Sequence, residues 1–280
     1  MKIARAAQVD PTWIKPVARL GYAARGVVYL VIALFALSAA IRGGETEDTR
    51  GALEFMSSSA FGDVVVLVLI AGLAGYAIWR FIQAIFDPDH HGFDPKGLGV
   101  RAGLLASGFS YSVLTIFTFS LWRGADDGAG EGNGGAFAEF LSGLVGARPA
   151  AWLLAGVFLV VAGAHFVKAI RKRYRDHIKV PPRFDEWLDP VAITGLCARG
   201  LVFAVIAILF ITRGVRGSGD GADTPGLGDA LDFIIGLPMG WVLLAMMGAG
   251  LLAFSLYSVT QALWRRVNVE DASLRLGAGR

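Results

Sequence analysis

GYAARGVVYLVIALFALSAAI, residues 21–41, opens on a glycine, arginine and aromatic pattern and then runs on with no further charge. The pattern is Gly, three residues, Arg or Ser, Gly, two residues, Tyr or Phe. It occurs three times: at Gly21, Arg25, Gly26 and Tyr29; at Gly103, Ser107, Gly108 and Tyr111; and at Gly195, Arg199, Gly200 and Phe203. Each copy starts a long apolar run, and successive copies stand 82 and 92 residues apart. One helical hairpin is therefore written three times. Architecture follows from this repetition, but activity does not, because no stretch carries a catalytic, metal or nucleotide signature.

Composition identifies the solvent around these hairpins. Of 280 residues, 55% are hydrophobic and 18% charged, with a mean hydropathy of +0.56, a balance foreign to soluble domains. About 20 helical residues cross roughly 30 Å of hydrocarbon, and six runs reach that length: Leu20 to Ile41, Val64 to Phe86, Val100 to Trp122, Ala150 to Ile170, Val191 to Thr212 and Met239 to Trp264. A soluble bundle would show a polar stripe once per helical turn, whereas Val64 to Ala71 is apolar all round. The expected fold class is all-α integral membrane, with six transmembrane helices forming three repeated hairpins. Cys197 stands alone, which excludes an intramolecular disulfide and a multi-cysteine zinc site. The short polar arm before the first run carries no cleavage pattern, so no removable signal peptide is expected.

Charge placement predicts the orientation, since Lys and Arg gather on the cytoplasmic side. The two terminal segments and the stretches Arg80 to Arg101 and Lys168 to Arg183 hold 18 cations, against 6 in the other three connections. Acids lean the other way, with 13 of 23 in those three connections. Both termini are thus expected on the cytoplasmic side. The basic knot Lys168, Arg171, Lys172, Arg173 and Arg175 reads as an anchor to anionic headgroups, with a partner-binding patch as the alternative. The glycine-rich acidic connections Gly124 to Gly135 and Gly214 to Asp223 match no calcium-loop pattern and read as solvated links.

The repeat divides the chain into an arm (1–16), hairpins 17–90, 99–175 and 191–266, and a tail (267–280). Ala52, Leu53, Glu54, Phe55 matches Ala230, Leu231, Asp232, Phe233, and Glu139 followed by Phe140 is a looser third copy. These read as interfacial turns with Phe toward lipid and the acid toward water. On the even helices Gly72, Tyr76, Trp79 and Gln83 correspond to Gly250, Phe254, Tyr257 and Gln261, at offsets that share one helical face. Glycines let membrane helices approach closely, so Gly21, Gly26, Gly103, Gly108, Gly195 and Gly200 are expected to pack helices together.

With these motifs the chain resembles a family of bacterial membrane proteins built on the domain of unknown function 1206, which carries this hairpin three times. The resemblance spans roughly Val17 to Trp264 and is weakest in the middle unit. It implies a six-helix integral membrane protein, and carries over no activity, substrate or cofactor.

Arg25 and Arg199 demand a separate account, because a cation at the centre of a span costs about 2.5 to 3.5 kcal/mol on insertion scales. Arg25 lies five residues into its span, about 7.5 Å deep at 1.5 Å per residue. Gln83 and Gln261 fall at similar depth on the returning helices. In the middle unit Ser107 replaces the Arg and Lys168 replaces the Gln, so each hairpin keeps one cation and one neutral hydrogen-bonding residue. Two arrangements are open. Separate arginines snorkel to phosphates outside the bundle, or Arg25, Lys168 and Arg199 converge about a pseudo-threefold axis along the membrane normal. Converged, they would bind an anion or lipid headgroup beside Gln83, Ser107, Gln261 and His165. His165 takes the place of Arg80 in unit two, and His90 and His91 lie in another connection, so no metal site is expected.

Three function classes remain: a lipid- or protein-interacting membrane module, a transporter or channel with an anion site on the cytoplasmic side, and a membrane enzyme. The interaction module, with anionic lipid and an unknown membrane protein as partners, fits best. Transport is disfavoured because the span interiors hold no Asp or Glu. Catalysis lacks a base beside a nucleophile or paired carboxylates. The cations already follow a membrane edge, so nucleic-acid binding is not expected, nor is any cofactor.

Overall fold

The computed structural model describes residues 14–42, 62–87, 92–123, 141–216 and 227–265. Its helices, in chain order, are α1 (Ile14–Arg42), α2 (Gly62–Phe86), α3 (Pro95–Trp122), α4 (Ala147–Ile170), α5 (Pro182–Arg216), α6 (Leu227–Ile235) and α7 (Gly240–Trp264). All but the short α6 are long and apolar enough to cross a membrane. No strand occurs among the described residues, and one isolated antiparallel bridge joins Ile178 to Arg265.

Local chemistry explains where these helices start and how they tolerate polar groups. Asp94 caps α3 by accepting the Gly97 N–H at 3.0 Å, and Pro95 supplies a first residue that needs no donor. Within α3, Thr115 and Thr118 each donate to the carbonyl four residues back at 2.7 Å, which satisfies their hydroxyls inside an apolar helix. Helix α5 begins nine residues before the run that starts at Val191, because it continues straight through Pro190. Leu188 and Ala192, on either side of that proline, are both buried in one cluster with Tyr174 and Ile178, which holds the two halves in line.

Packing sets the order of the helices in space. α1 packs on α2 and α7, α7 on α5, α5 on α4, and α2 on α3, while α3 and α4 are not packed along one another. The molecule is an arc running α3, α2, α1, α7, α5, α4, with a seam between the two helices of the middle hairpin. Those two are also the least covered, with 18% and 28% of their apolar windows buried against 44 to 50% in the other four. Large apolar side chains such as Val160, Ile170, Leu34, Val68 and Trp241 face outward, as a chain solvated by lipid requires. The main core lies between α1, α2, α5 and α7, around Ile32, Leu73, Phe210, Leu244 and Leu251.

Of the outer acid and phenylalanine pairs, Glu54 and Glu139 lie outside the described residues, as do His90, His91 and the connection 124–135. The third pair stands on α6, where Ala230 and Leu231 are buried and Asp232 and Phe233 exposed.

Candidate functional site

The glycines of the motif position everything else. A Cβ at Gly21 would lie 2.5 Å from that of Tyr76, and a Cβ at Gly195 would lie 2.6 Å from the backbone of Phe254. Tyr76 and Phe254 are themselves repeat-equivalent, so the first and third hairpins close in the same way. Gly72 and Gly250 repeat the equivalence, meeting Ala24 and Ala198. The second glycines look to the neighbouring hairpin: Gly26 meets Val259, Gly108 meets Phe81 and Gly200 meets Phe166, at 3.0 to 3.2 Å. Gly103 is different, with nothing within 4 Å among the described residues. The close approach expected of it is not made, because α3 and α4 are splayed. Val157 supplies the reason, since it stands where Gly72 and Gly250 let the other hairpins shut.

Arg25 points into the bundle and is 4% exposed, which removes the snorkelling arrangement for this residue. Its Nε donates to Ser258 Oγ at 3.2 Å, Nη1 to the Tyr76 hydroxyl at 2.6 Å and Nη2 to Gln261 Oε1. The rings of Tyr22, Tyr76 and Phe254 surround its guanidinium at 5.1 to 5.2 Å. Gln83 takes another partner, accepting from Arg80 Nη1 at 3.2 Å, and the second guanidinium nitrogen of Arg80 donates to the same Tyr76 hydroxyl. Tyr76 thus accepts from two arginines at once. Tyr76, Arg80 and Ser258 were not singled out as site residues by the sequence pattern; Arg80 and Ser258 occupy one repeat position with His165, which is the signal that marks them.

Arg199 lies against the rings of Phe254, Tyr29 and Phe203 at 4.7, 5.1 and 5.2 Å. Its Nε is buried with no hydrogen-bond partner among the described residues. Since Arg25 and Arg199 both sit on Phe254, their guanidinium carbons lie within about 10 Å of each other. Lys168 Nζ is 6.0 Å from the Tyr257 ring, which in turn is 6.0 Å from Phe254. All three cations are therefore within roughly 17 Å of one another. His165 joins them through Phe203, ring to ring at 5.2 Å, and donates its Nδ1–H to the Val161 carbonyl at 2.8 Å. Ser107 is half-buried on α3 and makes no hydrogen bond among the described residues. None of Arg25, Arg80 and Arg199 ion-pairs with a carboxylate among the described residues.

The basic knot after α4 is only partly available to headgroups. Asp189 accepts from Lys172 Nζ at 2.5 Å, Tyr174 at 2.8 Å and Arg175 Nε at 2.7 Å, while Arg175 also reaches Asp185 at 2.9 Å. Burial, and then the hydrogen bond to Asp189, push the Tyr174 hydroxyl above its ordinary range. Residues 171–181 are tied to the end of α7 by the Lys179 N–H, which donates to the Trp264 carbonyl at 3.2 Å.

Six apolar helices around an inward-facing layer of arginines and aromatic rings mark a multi-pass helical membrane protein, by length and composition. The chain belongs to the family described as Domain of Unknown Function (DUF1206), whose model matches residues 20–87 and 194–265. Those are the two hairpins that close on their glycines. The chain is also similar to the Uncharacterized protein YxxB of Bacillus subtilis (strain 168), 27% identical over 270 residues, covering 94% of this chain and 95% of that protein. No solved structure matches it.

Proposed function

We propose that the protein is a lipid-interacting module of the bacterial cytoplasmic membrane, built as three pseudo-threefold hairpins with both termini cytoplasmic, and that it catalyses no reaction. The contacts of Gly26, Gly108 and Gly200, each with the even helix of the preceding hairpin, support the cyclic arrangement. The observation that carries the functional reading is the layer formed by Arg25, Arg199 and Lys168, three cations within roughly 17 Å and no acid ion-paired with the two arginines. Cations at that depth are costly unless paired or solvated, and anionic lipid is the partner the surroundings supply.

Native mass spectrometry of the protein purified from mixed phosphatidylglycerol and phosphatidylcholine nanodiscs tests this. Retained phosphatidylglycerol in clear excess over phosphatidylcholine is expected, and equal retention of the two refutes the reading. A transporter or channel with an anion site is the second reading, favoured by the half-exposed surfaces of Arg199, His165 and Lys168. Saturable anion flux into proteoliposomes would establish it in place of the first.

A further inference from the structure

Arg25 and Arg199 occupy one position in two copies of the repeat, yet only Arg25 has its donors satisfied. Its acceptors are Tyr76 on the returning helix of its own hairpin, and Ser258 and Gln261 on the returning helix of the neighbouring one. Carried round the repeat to Arg199, the Tyr76 position becomes Phe254, the Ser258 position His165 and the Gln261 position Lys168. A phenyl ring accepts no in-plane hydrogen bond, and an ammonium group only donates. His165 donates its Nδ1–H to its own helix, and its Nε2, an acceptor by chemistry, makes no hydrogen bond to Arg199 among the described residues. None of the three hydrogen bonds that hold Arg25 is thus made at Arg199, and one of the acceptors is replaced by a second cation.

The surroundings of Arg199 deepen the imbalance. Three aromatic faces stabilise the guanidinium charge and leave its N–H donors without an acceptor among the described residues. The hydroxyls of Tyr29, whose ring lies 5.1 Å from the Arg199 guanidinium, and of Tyr111, whose ring lies 4.5 Å from that of Tyr76, make no hydrogen bond among the described residues. A cation kept only for packing would retain the acceptors seen at Arg25.

We infer that Arg199 and Lys168 bind the anionic headgroup of a membrane amphiphile, whose hydrocarbon tail lies in the seam between α3 and α4; this rests on the lipid-interacting reading above. The ligand class is a phosphate ester or carboxylate carried on an apolar chain. The planar guanidinium presents two parallel N–H donors to such an oxyanion, and the lysine adds a point charge. Access is sideways rather than from water. Residues 171–181 close the end beyond Lys168, where Tyr174 and Tyr257 are both 1% exposed with ring centres 6.1 Å apart. At the seam, a Cβ at Gly103 would meet nothing within 4 Å among the described residues, in the place where the other two hairpins are shut.

Lys168→Gln is the discriminating variant, because it restores the residue found at Gln83 and Gln261 and offers Arg199 an acceptor. In phosphatidylglycerol and phosphatidylcholine nanodiscs, its melting temperature is expected to hold or rise while phosphatidylglycerol retention, read by native mass spectrometry, falls by about tenfold. Arg199→Gln lowers retention to the same degree. Unchanged retention in a folded Lys168→Gln protein overturns the inference. So does a loss confined to the double variant Arg171→Gln, Arg173→Gln, which puts the lipid on the outer basic edge and leaves the lipid-interacting reading standing. Absence of any phosphatidylglycerol preference in the wild type brings down both. Dodecyl phosphate is expected to displace the bound lipid where inorganic phosphate at equal concentration does not, and equal displacement by the two overturns the seam as the seat of the tail.

Discussion

Gly21 and Gly195 show how much one missing methyl group sets in this chain. Each lets an odd helix lie directly on the backbone of its partner, with room for no Cβ. Gly21→Ala and Gly195→Ala are expected to cost about 1–3 kcal/mol through overpacking. Gly103→Ala, with no neighbour within 4 Å among the described residues, is expected to be neutral or up to about 1 kcal/mol stabilising, because alanine is the better helix former. Thermal unfolding of the three variants in one detergent ranks them, and similar losses at all three would contradict the splayed middle hairpin. The same contrast runs through the arginines. Arg25 is held by three hydrogen bonds, whereas Arg199 has aromatic faces and no acceptor among the described residues. Two side chains that look identical in the motif therefore have different surroundings, the first fully bonded into the bundle and the second the cation to which the ligand is assigned in the inference above.

Between α4 and α5, the basic knot is a clasp as much as an anchor. Asp189 gathers Lys172, Tyr174 and Arg175, and Arg175 takes Asp185 as well. These bonds hold Tyr174 in the cluster with Leu188, Leu196 and Tyr257 that closes that end of the bundle. Both acids hold the Arg175 guanidinium above its ordinary range, the Asp189 hydrogen bond most of all. Asp189→Asn is expected to speed hydrogen exchange and proteolysis across residues 171–181 by several-fold. Global stability should fall by no more than about 1 kcal/mol, since the ion pairs are partly exposed. An unchanged exchange rate there would show that packing of Tyr174 holds the connection without Asp189. Elsewhere the elements follow their local chemistry, with Asp94 and Pro95 starting α3 and two threonines bonding back along it. Only α5 departs from the apolar pattern, because Pro190, which reads as a boundary, is bridged by buried residues on both sides.

Across the whole molecule, the helices form an arc whose only unpacked neighbours in the hairpin scheme are α3 and α4. The proposed orientation places the ends of α2, α4 and α7 and the starts of α1, α3 and α5 on the cytoplasmic side. A green fluorescent protein fused after Arg280 is expected to fluoresce in cells, and an alkaline phosphatase fused there to be inactive; the opposite pair would invert the topology. Six apolar runs long enough to cross a membrane were legible in the amino-acid sequence, because bilayer thickness and helical rise impose a minimum length on each segment locally. The glycine motif likewise announced close approach, and two of its three copies close their hairpins. The failure at Gly103 was legible only in hindsight, from Val157 at the glycine position of the even helix. Pairing of the polar residues was not legible at all. The sequence suggested that Arg25 and Gln83 share a level within one hairpin, whereas Arg25 takes Ser258 and Gln261, 233 and 236 residues away, and Gln83 takes Arg80 on its own helix. By itself, then, the sequence determined the six apolar spans, which depend on neighbours along the chain. Tertiary structure decided that Arg25 is held by three acceptors while Arg199 has none among the described residues, because those acceptors come from helices far away in the chain that pack beside it.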